Sequence, residues 1–222
     1  MLSPVAAAVE TIAQGWLLDA LGLPASAGVG FVSGATMANF SGLAAARHAL
    51  LKQAGWDVEA RGMFGAPPIT VLVGDEVHVS ALKALSLLGF GRDRVVRVPV
   101  DGQGRMRADA LPPIDGLTIV CLQAGNVNSG ASDPIDEICA IAHDAGAWVH
   151  VDGAFGLWLA AAPGRAQLVR GIEQADSWAA DAHKWLNVPY DSGLVICRRP
   201  EHLRAAMSVN AAYLDGQDTR GE

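Results

Sequence analysis

Short apolar runs of strand length alternate with helical segments along most of this chain of 222 residues. β-Branched and other apolar residues fill runs such as 69–73 and 117–122, which is typical of buried strands. Longer segments such as 37–54 have the length and spacing of helices. Strands that alternate with helices predict an α/β fold with a mostly parallel sheet and helices on both faces. The strands are predicted at 29–32, 69–73, 95–98, 117–122, 148–151 and 193–197, and the helices at 5–21, 37–54, 79–88, 134–145 and 200–207. Residues 177–180 lead into the turn that carries Lys184.

Ligands of such sheets bind beyond the strand ends, in the loops that lead to helices. Polar and small residues of this chain fall at those positions. They are Ser33, Gly34, Ala35, Thr36, His78, Asn126, Asp152, His183 and Lys184.

Two of these residues point to a particular chemistry. Asp152 ends the apolar run 148–151, and Lys184 follows about thirty residues later in a turn. A lysine amine can bond to an aldehyde carbon, and a carboxylate at a strand end can keep a pyridine nitrogen protonated. Together they indicate pyridoxal phosphate, although each alone also fits an ordinary surface lysine or a turn-capping aspartate.

The segment from Ser33 to Thr36 opens a helix directly after a strand. Its small residues and free N–H groups suit a phosphate, with an ordinary helix-capping turn as the alternative. Ala154 is expected beneath the cofactor ring, where a larger side chain would block it. These residues are therefore predicted to bind the phosphate and the ring of the cofactor.

The histidines have several possible roles. His78 suits stacking on an aromatic ring or acid–base work, with a half-buried histidine at a helix start as the alternative. His183 either contacts the phosphate or orients Lys184, and the two remain open. His150 lies inside a strand, and we interpret it as a packed structural histidine.

Composition excludes several classes of protein. The net charge of −7 and pI near 5.3 argue against nucleic acid as a partner. No apolar run approaches the ~18–20 residues that span a bilayer, and the amino terminus lacks the basic start of a signal peptide. Cys121, Cys139 and Cys197 are odd in number, so we expect free thiols in a cytoplasmic protein. Histidine and cysteine spacings predict no metal site.

Five motifs in order resemble those of the group II pyridoxal-phosphate-dependent amino acid decarboxylases. They are 31–39 (FVSGATMAN), His78, 125–130 (GNVNSG), 150–156 (HVDGAFG) and 181–191 (DAHKWLNVPYD). Aromatic-amino-acid, tyrosine and glutamate decarboxylases belong to this family, and the resemblance extends from about residue 3 to 213. One departure is Met37, which stands where the family usually has glutamate.

The resemblance implies the aminotransferase-like fold, type I, with a sheet of the seven-stranded type. It implies that segment 1–26 packs as a helix on a cofactor-binding large domain at 27–213, and that 214–222 is a disordered tail. The small carboxyl-terminal domain and the mobile loop that carries a catalytic tyrosine are expected to be absent, because family members are about twice as long.

For the site, the resemblance makes Lys184, His78 and Asp152 the catalytic residues. Lys184 would bond the cofactor, Asp152 would pair with its ring nitrogen and His78 would stack on the ring. The other cofactor-binding residues would be Ala35, Thr36, Asn126, Ala154 and His183.

The implied reaction is loss of carbon dioxide from an amino acid, in a homodimer. The alternatives are a cofactor-binding or interaction module without activity, and another reaction on the same fold such as transamination.

Overall fold

A sheet of seven strands forms the framework of the computed structural model, which describes residues 3–208. The strands are β1 (Gly28–Val32), β2 (Thr70–Gly74), β3 (Val96–Val98), β4 (Thr118–Gln123), β5 (Trp148–Asp152), β6 (Ser177–Asp181) and β7 (Gly193–Cys197). Their order across the sheet is β1-β7-β6-β5-β4-β2-β3. All but β6 lie within two residues of a predicted strand, because short β-branched runs between turns have few other solutions. Strand β6 occupies the residues that were expected only to lead into the Lys184 turn.

Strand β7 is the exception in an otherwise parallel sheet. It pairs antiparallel with both β1 and β6, whereas β2, β3, β4, β5 and β6 pair in parallel. Because β7 is reversed against both neighbours, β1 runs in the same direction as the parallel strands. The carboxyl ends of β1, β2, β4, β5 and β6 therefore meet at one edge of the sheet, which confirms the prediction of a mostly parallel α/β fold.

Helices cover both faces of the sheet, as predicted. They are α1 (Pro4–Leu21), α2 (Ala35–Gln53), α3 (Val58–Arg61), α4 (Val79–Leu87), α5 (Ile135–Asp144) and α6 (Pro200–Met207). Alternate residues of β5 enter different cores: Val149 and Val151 join the cluster that holds α5, and Trp148 joins the cluster that holds α2 and α4. Since strand side chains alternate with period two, His150 and Asp152 share the face of Trp148, toward α2.

The first helix packs differently from the sequence expectation. Of the five apolar residues at helical spacing, Val5, Val9, Ile12 and Trp16 are more than half exposed, whereas Leu17 is partly buried against the core. Only the last turns reach the core, through Leu18 and Leu21. The predicted helix is thus present, but most of its apolar stripe is exposed among the described residues.

Two other expectations concern the domain boundaries. The division at residue 27 stays a prediction, because Leu18 and Ala27 belong to the same core cluster. The predicted tail, 214–222, lies outside the described residues, as does the end of the predicted large domain.

The three cysteines are free and buried, as the sequence predicted. Burial raises the pKa of Cys121 and Cys139 to about 12 and that of Cys197 to about 11, so all three are protonated thiols at neutral pH. None of the helices within residues 3–208 combines the length and apolarity required to cross a bilayer.

Candidate active site

The carboxyl ends of two neighbouring strands place several of the predicted site residues close together. Asp152 is the last residue of β5 and Asp181 the last of β6, and the turn after β6 carries Lys184. The helix α2 begins directly after β1 at the same edge. A Cβ atom on Gly193 would lie 2.5 Å from the Cα atom of Gly34, so the start of α2 rests against the first residue of β7.

Two adjoining cavities lie at this edge. The smaller is a narrow cleft that is lined by His78, Asp152, Ala154, Phe155 and Lys184, among others. The larger, about 370 Å³, is lined by Ala35, Thr36, His78, Asp181, His183 and Lys184, among others. His78 and Lys184 line both and therefore stand at the junction. Two larger surface hollows elsewhere, of about 640 and 650 Å³, include none of the predicted site residues.

The carboxylate of Asp152 is buried and is held by donors. Its Oδ2 accepts a hydrogen bond from Asn39 Nδ2 at 2.9 Å and lies 3.5 Å from Ser80 Oγ. Its Oδ1 accepts from the backbone N–H of Ala154 at 3.2 Å. A carboxylate fixed in this way presents an acceptor to the cleft, which is what a protonated ring nitrogen requires.

The side chain of Lys184 lies between an anion and an aromatic ring. Its Nζ is 2.8 Å from Asp181 Oδ2 and 4.0 Å from the centroid of the Phe155 ring. Asp181 is almost fully buried and also accepts from the backbone N–H of Ala35, at 2.6 Å. Asp181 therefore joins Lys184 to the first residue of α2.

His78 is the amino-terminal cap of α4. Its Nδ1 accepts from the backbone N–H of Ser80 at 3.3 Å and lies 2.8 Å from the Ser80 hydroxyl. An acceptor at Nδ1 leaves the proton of a neutral ring on Nε2. The ring can thus offer a face and a donor to the junction of the two cavities.

His183 is oriented by two neighbours. Its ring stacks on Tyr190 with centroids 3.9 Å apart, and its Nδ1 accepts from the backbone N–H of Ser192 at 3.2 Å. Its Nε2 lies 3.5 Å from Asp181 Oδ1, beside the start of α2. Both roles considered for His183 remain open, because it adjoins both the helix start and Lys184.

Asn126 is the one predicted residue that lines neither cavity. Its Nδ2 donates to Glu76 Oε2 at 3.0 Å, and its Oδ1 accepts from the backbone N–H groups of Asn128 and Ser129. The side chain is therefore engaged by its own loop and by Glu76 in the loop after β2. Gln123, at the end of β4, lines the cleft instead.

These residues fit pyridoxal phosphate. Lysine and carboxylate line one cleft, and His183 and the start of α2 offer N–H groups to a phosphate. A Cβ atom on Gly34 would lie 3.2 Å from His183 Cε1, so the glycine keeps this space open. One contact opposes the fit, because the Ala35 N–H is already bonded to Asp181.

Several contacting residues had no role in the sequence analysis. Asn39, Ser80 and Asp181 all bond to predicted site residues. The position of Asp181 could have indicated a site residue, because it ends an apolar strand just as Asp152 does. Asn39 lies one helical turn after Ala35, and Ser80 lies two residues after His78.

Comparison with known proteins gives the same assignment. An aromatic-L-amino-acid decarboxylase of Bacillus atrophaeus is 32% identical over 96% of this chain and 44% of that protein. An aspartate 1-decarboxylase of Aliivibrio fischeri is 35% identical over 83% of this chain and 36% of that protein. A crystal structure of Oryza sativa TDC with PLP and tryptamine superposes with a TM-score of 0.83 at 28% identity, covering 96% of this chain and 46% of that one.

The chain therefore spans less than half the length of the relatives it matches. Residues 1–221 match the pyridoxal-dependent decarboxylase conserved domain. The fold class, the cofactor and the kind of enzyme that the motifs predicted are thus confirmed at the level of the family. This chain belongs to the pyridoxal-dependent decarboxylase family.

Proposed function

We propose that this chain is the cofactor-binding large domain of an enzyme that uses pyridoxal phosphate to decarboxylate an amino acid to an amine. The observation that carries the proposal is the shared cleft of Lys184, Asp152 and His78. These residues come from three separate segments of the chain. Each has the chemical type that its role requires.

The reaction divides between cofactor and protein. When bound, pyridoxal phosphate supplies the electron sink for the pair released as the α-carboxylate leaves as carbon dioxide. Lys184 would hold the aldehyde carbon through its amine nitrogen. Asp152, with both oxygens fixed by donors, would accept the ring N–H and keep the proton there. His78 would cover a ring face, with its proton on Nε2 because Nδ1 is an acceptor.

The phosphate belongs at the start of α2. Backbone N–H groups of Ala35 and Thr36 and the side chain of His183 are the donors we assign to it. Asp181 must release the Ala35 N–H and Lys184 when the phosphate and the aldehyde arrive, since it contacts both.

The names of the relatives include aromatic and acidic amino acids, so the proposed substrate is an amino acid with no finer assignment. A homodimer and a cytoplasmic location remain our proposals. The three buried free thiols support a reducing compartment. Light scattering of the purified protein tests the dimer, and a monomer at all concentrations would contradict it.

Covalent loading provides the first test. The chain has only three lysines, Lys52, Lys83 and Lys184, so the modified residue is easily mapped. Protein mixed with pyridoxal phosphate is reduced with borohydride, digested and analysed by mass spectrometry. We expect the cofactor mass on Lys184 alone, its loss in Lys184→Arg, and retention in the matched control Lys83→Arg. Folded protein with no label on Lys184 would refute cofactor binding.

Product analysis tests the reaction. The protein as its gene encodes it is loaded and given a panel of amino acids, with carbon dioxide and amine as the expected products. A keto acid in place of the amine would indicate transamination. Loaded Lys184 without any turnover would indicate a binding module.

A further inference from the structure

A line of buried polar side chains runs behind Asp152, on the face of the sheet that packs against α2. Asn39 Nδ2 donates to Asp152 Oδ2 at 2.9 Å, and Asn39 Oδ1 lies 2.9 Å from His150 Nε2. His150 Nδ1 lies 2.8 Å from Ser177 Oγ, which accepts from Trp148 Nε1 at 2.9 Å. Asn39, His150 and Ser177 are each completely buried.

The donor and the acceptor in each hydrogen bond of this line can be assigned, starting from Asp152. An ionised Asp152 can only accept, so the Asn39 amide nitrogen must face it and the Asn39 oxygen must face His150. That oxygen also only accepts, so His150 Nε2 carries the proton. Burial lowers the pKa of His150 to about 3, so the ring is neutral and its Nδ1 accepts from the Ser177 hydroxyl. Each donor thus points along the line toward Asp152.

The fold fixes this line rigidly. His150 pairs with Ser177 across strands β5 and β6, which places the two side chains side by side on the α2 face. A Cβ atom on Gly42 of α2 would lie only 2.8 Å from His150 Cε1, so the helix backbone closes over the ring. The second N–H of Asn39 is used as well, by Ser80 Oγ at 3.2 Å.

We propose that Asn39 and His150 are positioning residues for Asp152. His150, as the Nε2–H tautomer, holds the Asn39 amide so that it donates to Asp152 Oδ2, and the carboxylate is thereby aimed into the cleft. The inference rests on the proposed function, in which Asp152 receives the cofactor's ring N–H. Neither Asn39 nor His150 lines the cleft, so both act through Asp152.

The tautomer is tested first, in the protein without cofactor. Nitrogen-15 NMR of histidine-labelled protein distinguishes Nε2–H from Nδ1–H and from a charged ring. We expect His150 to be neutral with the proton on Nε2 at pH 7. A proton on Nδ1, or a charged ring, would overturn the proposal whatever the fate of the cofactor.

Affinity for pyridoxal phosphate tests the action on Asp152. We expect His150→Phe and Asn39→Leu each to weaken binding about tenfold, because Asp152 loses a fixed donor. His150→Gln, which can still donate to Asn39, should recover part of the loss. Ser41→Ala is the matched control, since its buried Oγ has no hydrogen-bond partner among residues 3–208.

A double-mutant cycle separates positioning from general structure. If Asn39 acts through Asp152, Asn39→Leu should have little further effect on cofactor affinity in an Asp152→Asn background. Equal effects in both backgrounds would show that Asn39 acts elsewhere and would refute the proposal. If His150→Phe fails to fold, the milder Gly42→Ala, which presses on the ring from α2, takes its place.

Different results would contradict the proposed function and the positioning role of Asn39 and His150. Absence of any covalent label on Lys184 in the wild-type protein would contradict the proposed function. A normal label combined with unchanged affinity in Asn39→Leu and Gly42→Ala would contradict only the positioning role.

Discussion

The Nζ atom of Lys184 lies 2.8 Å from Oδ2 of Asp181, three residues earlier in the chain. The same carboxylate accepts the backbone N–H of Ala35, at the start of α2. Asp181 thus contacts the lysine that we assign to the aldehyde and an N–H that we assign to the phosphate. Both contacts must open for the cofactor to bind.

We expect Asp181→Asn to bind pyridoxal phosphate more tightly, by about threefold to tenfold, because a negative charge beside the phosphate and the competing ion pair are both removed. The asparagine oxygen can still accept from Ala35, which preserves the start of α2. Fluorescence titration measures the affinity. Asp191→Asn, an exposed residue that lines the same cavity, controls for net charge, and an equal gain in that variant would contradict a specific role.

Asp152→Asn is expected to lower the decarboxylation rate by about 10²–10³-fold while Lys184 still loads, because the ring nitrogen loses its charged partner. Asn39 Nδ2 and Ala154 N donate to different oxygens of Asp152, so an amide at this position leaves one donor unpaired. Turnover and borohydride labelling are measured on the same samples. The exposed Asp144→Asn serves as control, and unchanged turnover in Asp152→Asn would remove this residue from the mechanism.

Much of the fold was predictable from the sequence because its signals are local. Six of the seven strands were predicted from short apolar runs between turns, and the alternation of strands with helices placed Asp152, His78 and Lys184 at one edge. The reversed direction of β7 has no local signature. The outward orientation of the α1 stripe, with Val9 and Trp16 exposed, also depends on packing that periodicity alone does not describe.

The polar network around the site was not predictable in the same way. Asn39 and His150 are 111 residues apart, and their contact depends on how α2 crosses β5. A buried histidine in a strand is ordinarily a packing residue, which is how we interpreted His150. Its partners emerge only from the pairing of β5 with β6, since that register decides which side chains share a face.

Gly193→Ala should destabilise the fold by ~3 kcal/mol, because the added Cβ would lie 2.5 Å from the Cα of Gly34 and neither backbone can move freely. Urea denaturation measures the free energy of unfolding. Gly15→Ala is the matched control: nothing lies within 4 Å of its added Cβ on α1, and we expect it to stabilise by ~1 kcal/mol. A loss in Gly193→Ala no larger than an ordinary surface effect would contradict the close contact.

The buried His150 predicts a loss of stability in acid. Its pKa is lowered to about 3 by burial in the folded protein, whereas an unfolded histidine protonates near ~6.5. Between these values the unfolded chain binds more protons, so this residue's contribution is complete above pH ~6.5 and falls by ~1.4 kcal/mol for each unit of pH below it. Burial also raises the pKa of Asp133 to about 6, so the contribution of Asp133 to stability decreases as pH rises, opposite to that of His150.

Comparing wild type with His150→Gln by urea denaturation from pH 7 to pH 4 isolates the contribution of the histidine. The variant should lose less stability than wild type on acidification. Parallel curves would show that His150 does not titrate as its burial requires.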